Sequence, residues 1–314
     1  MPDPLSILVQ TVLLLLLAPL ITGCIRNWKA KLQNRRGPRV WQPYFDLAKF
    51  LRKDMVISEH ASWVFAAAPY VVFISSLLAG LMVPLVSTRA PLSLFGGVLA
   101  VIGLLALGRF FLALGGLDPG SAFGGMGSSR EMTISAMAEP ALMLAIFTVA
   151  ITAGSTDLSR IVATEHGPAL RLLNPAHLMA FAALFIVLLA ETGRVPVDNP
   201  ATHLELTMIH EGMLLEYSGR YLAFLEWGAS IKQLLLMALL VNVFLPVGLP
   251  AEGSAVWFGW GLAVFLGKIL LLSAAVVLVE TANAKLRLFR VPDLLSASFV
   301  LATLALLATF LFPR

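Results

Sequence analysis

Eight stretches of this chain are apolar for long enough to cross a lipid bilayer, and they limit the fold before any motif is read. They lie at about 5–24, 64–86, 94–114, 133–153, 172–190, 231–249, 257–279 and 294–312. A helix needs about 20 mostly apolar residues to span ~30 Å of hydrocarbon. A lone segment in lipid must satisfy its own backbone hydrogen bonds, so each run is expected to be a helix. The short alternating segments of a transmembrane β-barrel are absent. The fifth run is the weakest, because its clean apolar part begins only at Leu178. The expected fold class is all-α integral membrane, with residues 1–314 forming a single polytopic domain of about eight transmembrane helices.

Composition narrows the function. Only 13% of residues are charged and 59% are hydrophobic, whereas a soluble domain carries about 25% charged residues. The single cysteine, Cys24, rules out an internal disulfide, a thiolate-based zinc site and an iron–sulfur cluster held by this chain alone. Any redox centre is expected on another chain. Basic residues flank the apolar runs and form no patch suited to nucleic acid, so the bilayer is the expected partner.

Those basic residues also set the orientation. The loop after the first run holds Arg26, Lys29, Lys31, Arg35, Arg36, Arg39, Lys49, Arg52 and Lys53, and the loop after the seventh holds Lys285, Arg287 and Arg290. Loops after even-numbered runs hold only Arg89, Arg160 and Arg171. The positive-inside rule places the odd-numbered loops in the cytoplasm and both termini outside. The leading "MPDPLS" has no positive charge, so the first run reads as a retained helix and not as a signal peptide.

Between the fifth and sixth runs lies "ETGRVPVDNPATHLELTMIHEGMLLEYSGRYLAFLEWGAS". It gathers Glu191, Asp198, Glu205, Glu211, Glu216 and Glu226, six of the eighteen acids in the chain. Pro196 and Pro200 make its first part irregular. Thr202 followed by Glu205 predicts a capped helix over about 202–215, interrupted by Gly212. Glu205 and Glu216 are spaced to share a helix face. One reading is a solvated loop, where charge is normally exposed. The other is a polar chamber at the membrane surface that handles protons or a polar ligand, since only Arg194, Arg220 and Lys232 are at hand as partners. His203 and His210 could share a face, but there is no H-E-x-x-H pattern, and no metal site is expected.

Charge inside a span costs about 2.5–3.5 kcal/mol or more on insertion scales, and so points to function. Lys268 sits near the middle of the seventh run and is expected to find an acid in the interior. Glu139 lies within the fourth run before Pro140, with Arg130 and Glu131 at its mouth. Arg109 and Glu280, nearer span ends, are expected to snorkel. Glu139 and Lys268 are expected to continue a buried polar path from the acidic stretch, or else to form a structural ion pair. The Gly- and Ser-rich "LDPGSAFGGMGSSRE" is expected to be flexible, and it lacks the lysine of a phosphate-binding loop.

In the first basic loop the Gly37–Pro38 turn and Pro43 lead into an amphipathic helix. Tyr44, Phe45, Leu47, Ala48, Phe50 and Leu51 form its apolar side. Arg35, Arg36, Gly37, Pro38, Gln42, Pro43, Asp46 and Lys49 make this loop a candidate docking surface for a further subunit.

Several motifs taken together resemble a known family. "NRRGP" with "QPYFDLAKF", "FGGMGSSRE" followed by Glu139, "AETGRVPVDNP", "LEYSG" and "KLRLFRVPDLL" resemble the membrane subunit shared by respiratory complex I and the membrane-bound [NiFe] hydrogenases. The short "RRGPRVWQP" and "NPATHLELTMIHEGMLLEYSGRYLAFLEW" look most like the formate hydrogenlyase and hydrogenase-4 branch. Glu280 departs from the arginine usual in complex I. The resemblance implies a subunit with no cofactor of its own, in a bacterial or archaeal cytoplasmic membrane. Its implied partners are a hydrogenase large subunit with the [NiFe] centre, an iron–sulfur small subunit and an antiporter-like membrane subunit. Arg130, Glu139, Glu191, Arg194, Asp198, Glu205, Glu216 and Glu226 would line the proton-access or coupling region. The alternatives are the quinone-chamber subunit of a complex I-type oxidoreductase, a free-standing ion transporter, and a passive anchor.

Overall fold

A computed structural model describes residues 4–93, 97–165, 174–198, 209–250 and 255–311. Ten α-helices order the described chain: α1 (Pro4–Leu32), α2 (Gln42–Arg52), α3 (Trp63–Met82), α4 (Val98–Leu117), α5 (Ala122–Ala153), α6 (Leu158–Glu165), α7 (Pro175–Glu191), α8 (Gly219–Phe244), α9 (Ala255–Ala282) and α10 (Val291–Leu311). Among the described residues there is no β-strand. Seven helices are long and apolar enough to cross a membrane, so the protein is an all-α, multi-pass membrane protein. The fifth predicted run corresponds to α7, which is shorter at 17 residues, or about 26 Å of helix.

The short α7 can be buried because its neighbours are longer. It packs between α5 and α10, with Ser298 of α10 donating to the Ala183 carbonyl at 2.9 Å. Ala180, Ala183, Leu184 and Val187 are fully enclosed there. One contiguous apolar core joins these helices to α1, α3, α4, α8 and α9.

Two helices begin well before their apolar runs. α5 starts at Ala122, so the segment expected to be flexible is helical. Ser121 caps it by accepting from the Gly124 amide at 3.2 Å. Its glycines serve close approach: a Cβ at Gly124 would collide with the Gly116 carbonyl of α4, and one at Gly127 would press on Ile209 and Met213. α8 starts at Gly219, which brings Glu226 into the helix. The predicted helix over 202–215 falls partly outside the described residues, and its described end, Glu211–Leu214, is a 3₁₀ turn.

"LEYSG" locks the acidic stretch to the first loop. The Tyr217 ring stacks on Phe65 with centroids 4.0 Å apart, and its hydroxyl donates to the Phe65 carbonyl at 3.2 Å. Burial pushes that hydroxyl above the ordinary phenol range. Ser218 accepts from the Val56 amide and donates to the Val56 carbonyl. Gly219 adopts φ +54° against the Lys53 and Asp54 carbonyls, a conformation that disfavours a side chain. The amphipathic α2 forms as expected, with Pro43 in its first turn. It lies on α1 and α8, with Leu47 turned inward and Phe45 outward.

At the other end of the bundle, residues 83–86 are buried without being helical. Irregular backbone is tolerated there only if other groups satisfy it. Gln10 donates to the Gly80 and Val83 carbonyls, and Asn242 to those of Pro84 and Leu85.

Candidate functional site

Where α1, α7, α8 and α9 meet, at the end that carries the basic loop, they line a partly open cavity of about 190 Å³. That leaves room for several waters. Glu191, Arg194, Asp198, Glu211 and Glu226 all line it. Arg26, Lys29, Lys232, Gln233, His210 and Glu280 complete the polar wall. Four of the six acids of this stretch, Glu191, Asp198, Glu211 and Glu226, are therefore gathered around an interior space, and cations from other helices face them.

Glu191 ends α7, with 4% of its side chain exposed. One carboxylate oxygen lies 2.8 Å from the Lys232 ammonium of α8, and the other 3.3 Å from the Arg109 guanidinium of α4. Arg109 also reaches the Glu139 carboxylate of α5 at 2.9 Å. Two cations and two acids thus form one chain, Lys232–Glu191–Arg109–Glu139, which leads out of the cavity into the bundle. Glu139 is its open end: one-third of that side chain is exposed on the flank of α5.

A second cluster closes the opposite wall. Glu280 of α9 binds Lys29 of α1 at 3.0 Å and Arg194 at 2.9 Å. Arg194 continues to Gln233 at 2.9 Å. Asp198 pairs with Lys285 at 2.9 Å and accepts from the Ile209 amide, which ties the acidic stretch to the segment after α9.

The structure corrects the sequence reading at three places. Arg109 does not snorkel; it is buried, with only 5% of the residue exposed. The apolar run ends at about Leu114, whereas the helix continues to Leu117, which sets the guanidinium deeper in the span. Glu280 does not snorkel either: it stands near the end of α9, but only 2% of its side chain is exposed. Lys268 does not meet an acid among the described residues; its ammonium donates to the Leu245 carbonyl at 2.5 Å and does not join the chain that ends at Glu139.

Other predicted positions are spread more widely. Arg130 is partly buried in the first part of α5, and Glu216 is exposed in the turn before α8; neither lines the cavity. Glu205 and His203 lie outside the described residues. Of the docking candidates, Arg35, Arg36, Pro38 and Lys49 are exposed, while Pro43 is buried and Gln42 donates to Asp46 at 3.0 Å. Among the described residues no cluster of His, Cys, Asp and Glu could hold a metal ion.

The NADH dehydrogenase family model matches residues 5–311. The chain is 37% identical to hydrogenase-4 component C of Escherichia coli (strain K12), over 95% of this chain and 93% of that protein. It is 36% identical to formate hydrogenlyase subunit 4 of the same organism, over 95% and 96%. A subunit of the NADH-quinone oxidoreductase of Syntrophotalea carbinolica is 31% identical over 70% of each chain. A chain of the membrane-bound sulfane sulfur reductase, an archaeal respiratory membrane complex, shares the fold with a TM-score of 0.83. It covers 96% of this chain and 98% of its own at 20% identity.

Proposed function

The chain belongs to the NADH dehydrogenase family, and from that premise we propose that it is the membrane-anchoring and proton-coupling subunit of a membrane-bound [NiFe] hydrogenase of the formate hydrogenlyase type. In this reading it joins a soluble electron-transfer arm to an antiporter-like membrane subunit. It holds no cofactor itself; the [NiFe] centre and the iron–sulfur clusters belong to the large and small subunits of the arm. The cavity end faces the cytoplasm, and both termini lie outside. The names of the two relatives that match over nearly their whole length favour the hydrogenase branch.

The observation that carries the coupling role is the chain Lys232–Glu191–Arg109–Glu139. A passive anchor needs no such chain, because a buried ion pair seldom adds stability over apolar packing. Here a cavity with room for water communicates through alternating charges with a partly exposed carboxylate in the span. A shift in protonation or position at Glu191 changes what Arg109 can offer Glu139, and that passes the change inward.

The quinone-chamber reading has a relative in its favour. The cavity favours the other branch. Pockets for drug-sized ligands run to about 300–1,000 Å³, and Glu280 fills one wall while clamping two cations. The test is to purify the complex through a tag on this chain, assay nickel, and then compare Glu139→Gln with the unaltered complex for proton movement per hydrogen formed. Stoichiometric nickel and a lost proton signal in the variant are expected. Flavin without nickel would overturn the hydrogenase branch, and a variant with full proton movement would overturn the coupling role.

A further inference from the structure

We propose that residues 37–44 form a strap across a hinge in α1, and that Tyr44 and Asn27 thereby position Lys29 against Glu280 in the wall of the cavity. The strap does not rest on the hydrogenase reading.

The hinge is Pro19, which lies inside α1. Proline has no amide hydrogen, so the carbonyl four residues earlier, that of Leu15, loses its helical partner and the helix is weakened there. The indole of Trp227, on α8, donates to that carbonyl at 3.1 Å. The hydroxyl of Tyr44, on α2, donates to the next one, that of Leu16. α3 repeats the arrangement: Pro69 leaves the Phe65 carbonyl open, and this is the carbonyl that receives the Tyr217 hydroxyl. Neighbouring segments thus supply donors where proline interrupts a membrane helix.

Beyond the hinge the strap runs back along α1. Asn27 donates to the Pro38 carbonyl at 2.7 Å. A Cβ at Gly23 would run into the Val40 carbonyl, and one at Gly37 into Ala30, so the two segments touch backbone to backbone. Leu16, Gly23, Asn27 and Ala30 share one face of α1 by their spacing. Leu16 lies before Pro19 and the other three after it, so the strap spans the hinge and sets its angle. The adjacent face of the helix carries Leu15, Thr22, Arg26 and Lys29, and the last three of these line the cavity. Lys29 closes the wall by binding Glu280 at 3.0 Å. At 1.5 Å of rise per residue Lys29 stands about 15 Å along the axis from Pro19, so a change of about 10° at the hinge displaces it by roughly 2.6 Å. That is enough to part the pair. The outer side of the strap is open, with Arg39 and Trp41 exposed, and a load placed there is felt at Lys29.

The test uses the full chain in its membrane complex. Acylation of the Lys29 amine by a water-soluble reagent is followed by mass spectrometry. Lys285, which pairs with Asp198, is the internal reference. Tyr44→Phe keeps the ring and loses the donor, and Asn27→Ala removes the second tie. Each is expected to raise Lys29 labelling several-fold and to leave Lys285 unchanged. Pro19→Ala restores the missing amide, so adding Tyr44→Phe to it should leave Lys29 labelling as it is in Pro19→Ala alone. Unchanged Lys29 labelling in either single variant would overturn the proposal. A parallel rise at Lys285, or a rise that persists in full with Pro19→Ala, would overturn it too, since both mean general loosening. If Tyr44→Phe does not assemble, Asn27→Ala decides, because its bond lies at the surface.

Discussion

Arg109 of α4 and Glu191 of α7 meet at 3.3 Å with 4% of either side chain exposed, although they lie far apart in the sequence. Neither helix would bury its charge alone, and each does so because the other is there. The same guanidinium holds Glu139, so one residue organises two acids on two further helices.

Replacing Arg109 with leucine should therefore be more harmful than its single charge suggests. Removing one partner of a buried pair costs about 3–5 kcal/mol, because the remaining charge is stranded. The R109L protein is expected to unfold well below the unaltered one in detergent. Adding Glu191→Gln should restore part of the loss. A single change that leaves the melting temperature in place would mean that the three charges are not coupled.

Glu139 and Glu216 should behave differently although both are acids of the motifs that carry the resemblance. Glu139→Gln keeps shape and removes the charge at the open end of the chain, so proton movement is expected to fall while assembly persists. Glu216 is exposed and outside the cavity, and Glu216→Gln is expected to leave proton movement near normal. Parallel assays in vesicles containing the complex would distinguish them; equal losses would redraw the path.

The clamp at Glu280 predicts a graded series. Glu280→Gln retains an acceptor for Lys29 and Arg194, whereas Glu280→Ala leaves two cations facing each other in the interior. The alanine protein is expected to lose about 3–5 kcal/mol and the glutamine protein distinctly less. Chemical denaturation of the detergent-solubilised protein measures the order, and a reversed order would show that the carboxylate charge itself is the burden.

At the junction of the first loop and the acidic stretch, Tyr217→Phe keeps the stack on Phe65 and loses one hydrogen bond, a cost of about 0.5–1.5 kcal/mol. Gly219→Ala forces a side chain into φ +54° and against the Lys53 and Asp54 carbonyls. Expression and melting temperature should fall further for the glycine change than for the tyrosine change.

Much of this architecture is written in the apolar runs, because lipid permits few alternatives to helices. The acidic stretch is also conspicuous for its unusual density of charge. What the runs conceal is depth. Apolar stretches mark where a helix contacts lipid or core, but whole turns precede them in α5 and α8, and α4 runs three residues past its own. For that reason the Gly-rich segment before Glu131 reads as a loop and Arg109 as nearer a span end than it is, whereas Glu280 does stand near the end of α9 and is buried by Lys29 and Arg194. Pairing across long separations is hidden for a second reason. Lys29, Lys232 and Glu280 belong to three different helices, and no local spacing links them to Glu191 or Arg194. Lys268 is recognisable as a buried charge, yet its partner is a backbone carbonyl, which leaves no mark in the side-chain sequence.

The tight seat of Gly127 under Ile209 and Met213 gives α5 a mechanical character. From Gly127 to Glu139 the helix is unbroken and about 18 Å long. Pro140 then removes the next backbone donor and loosens the helix at that point. A displacement of the acidic segment would push on the head of a stiff rod, and the far end of that rod is the residue that carries the partly exposed carboxylate, just before its joint.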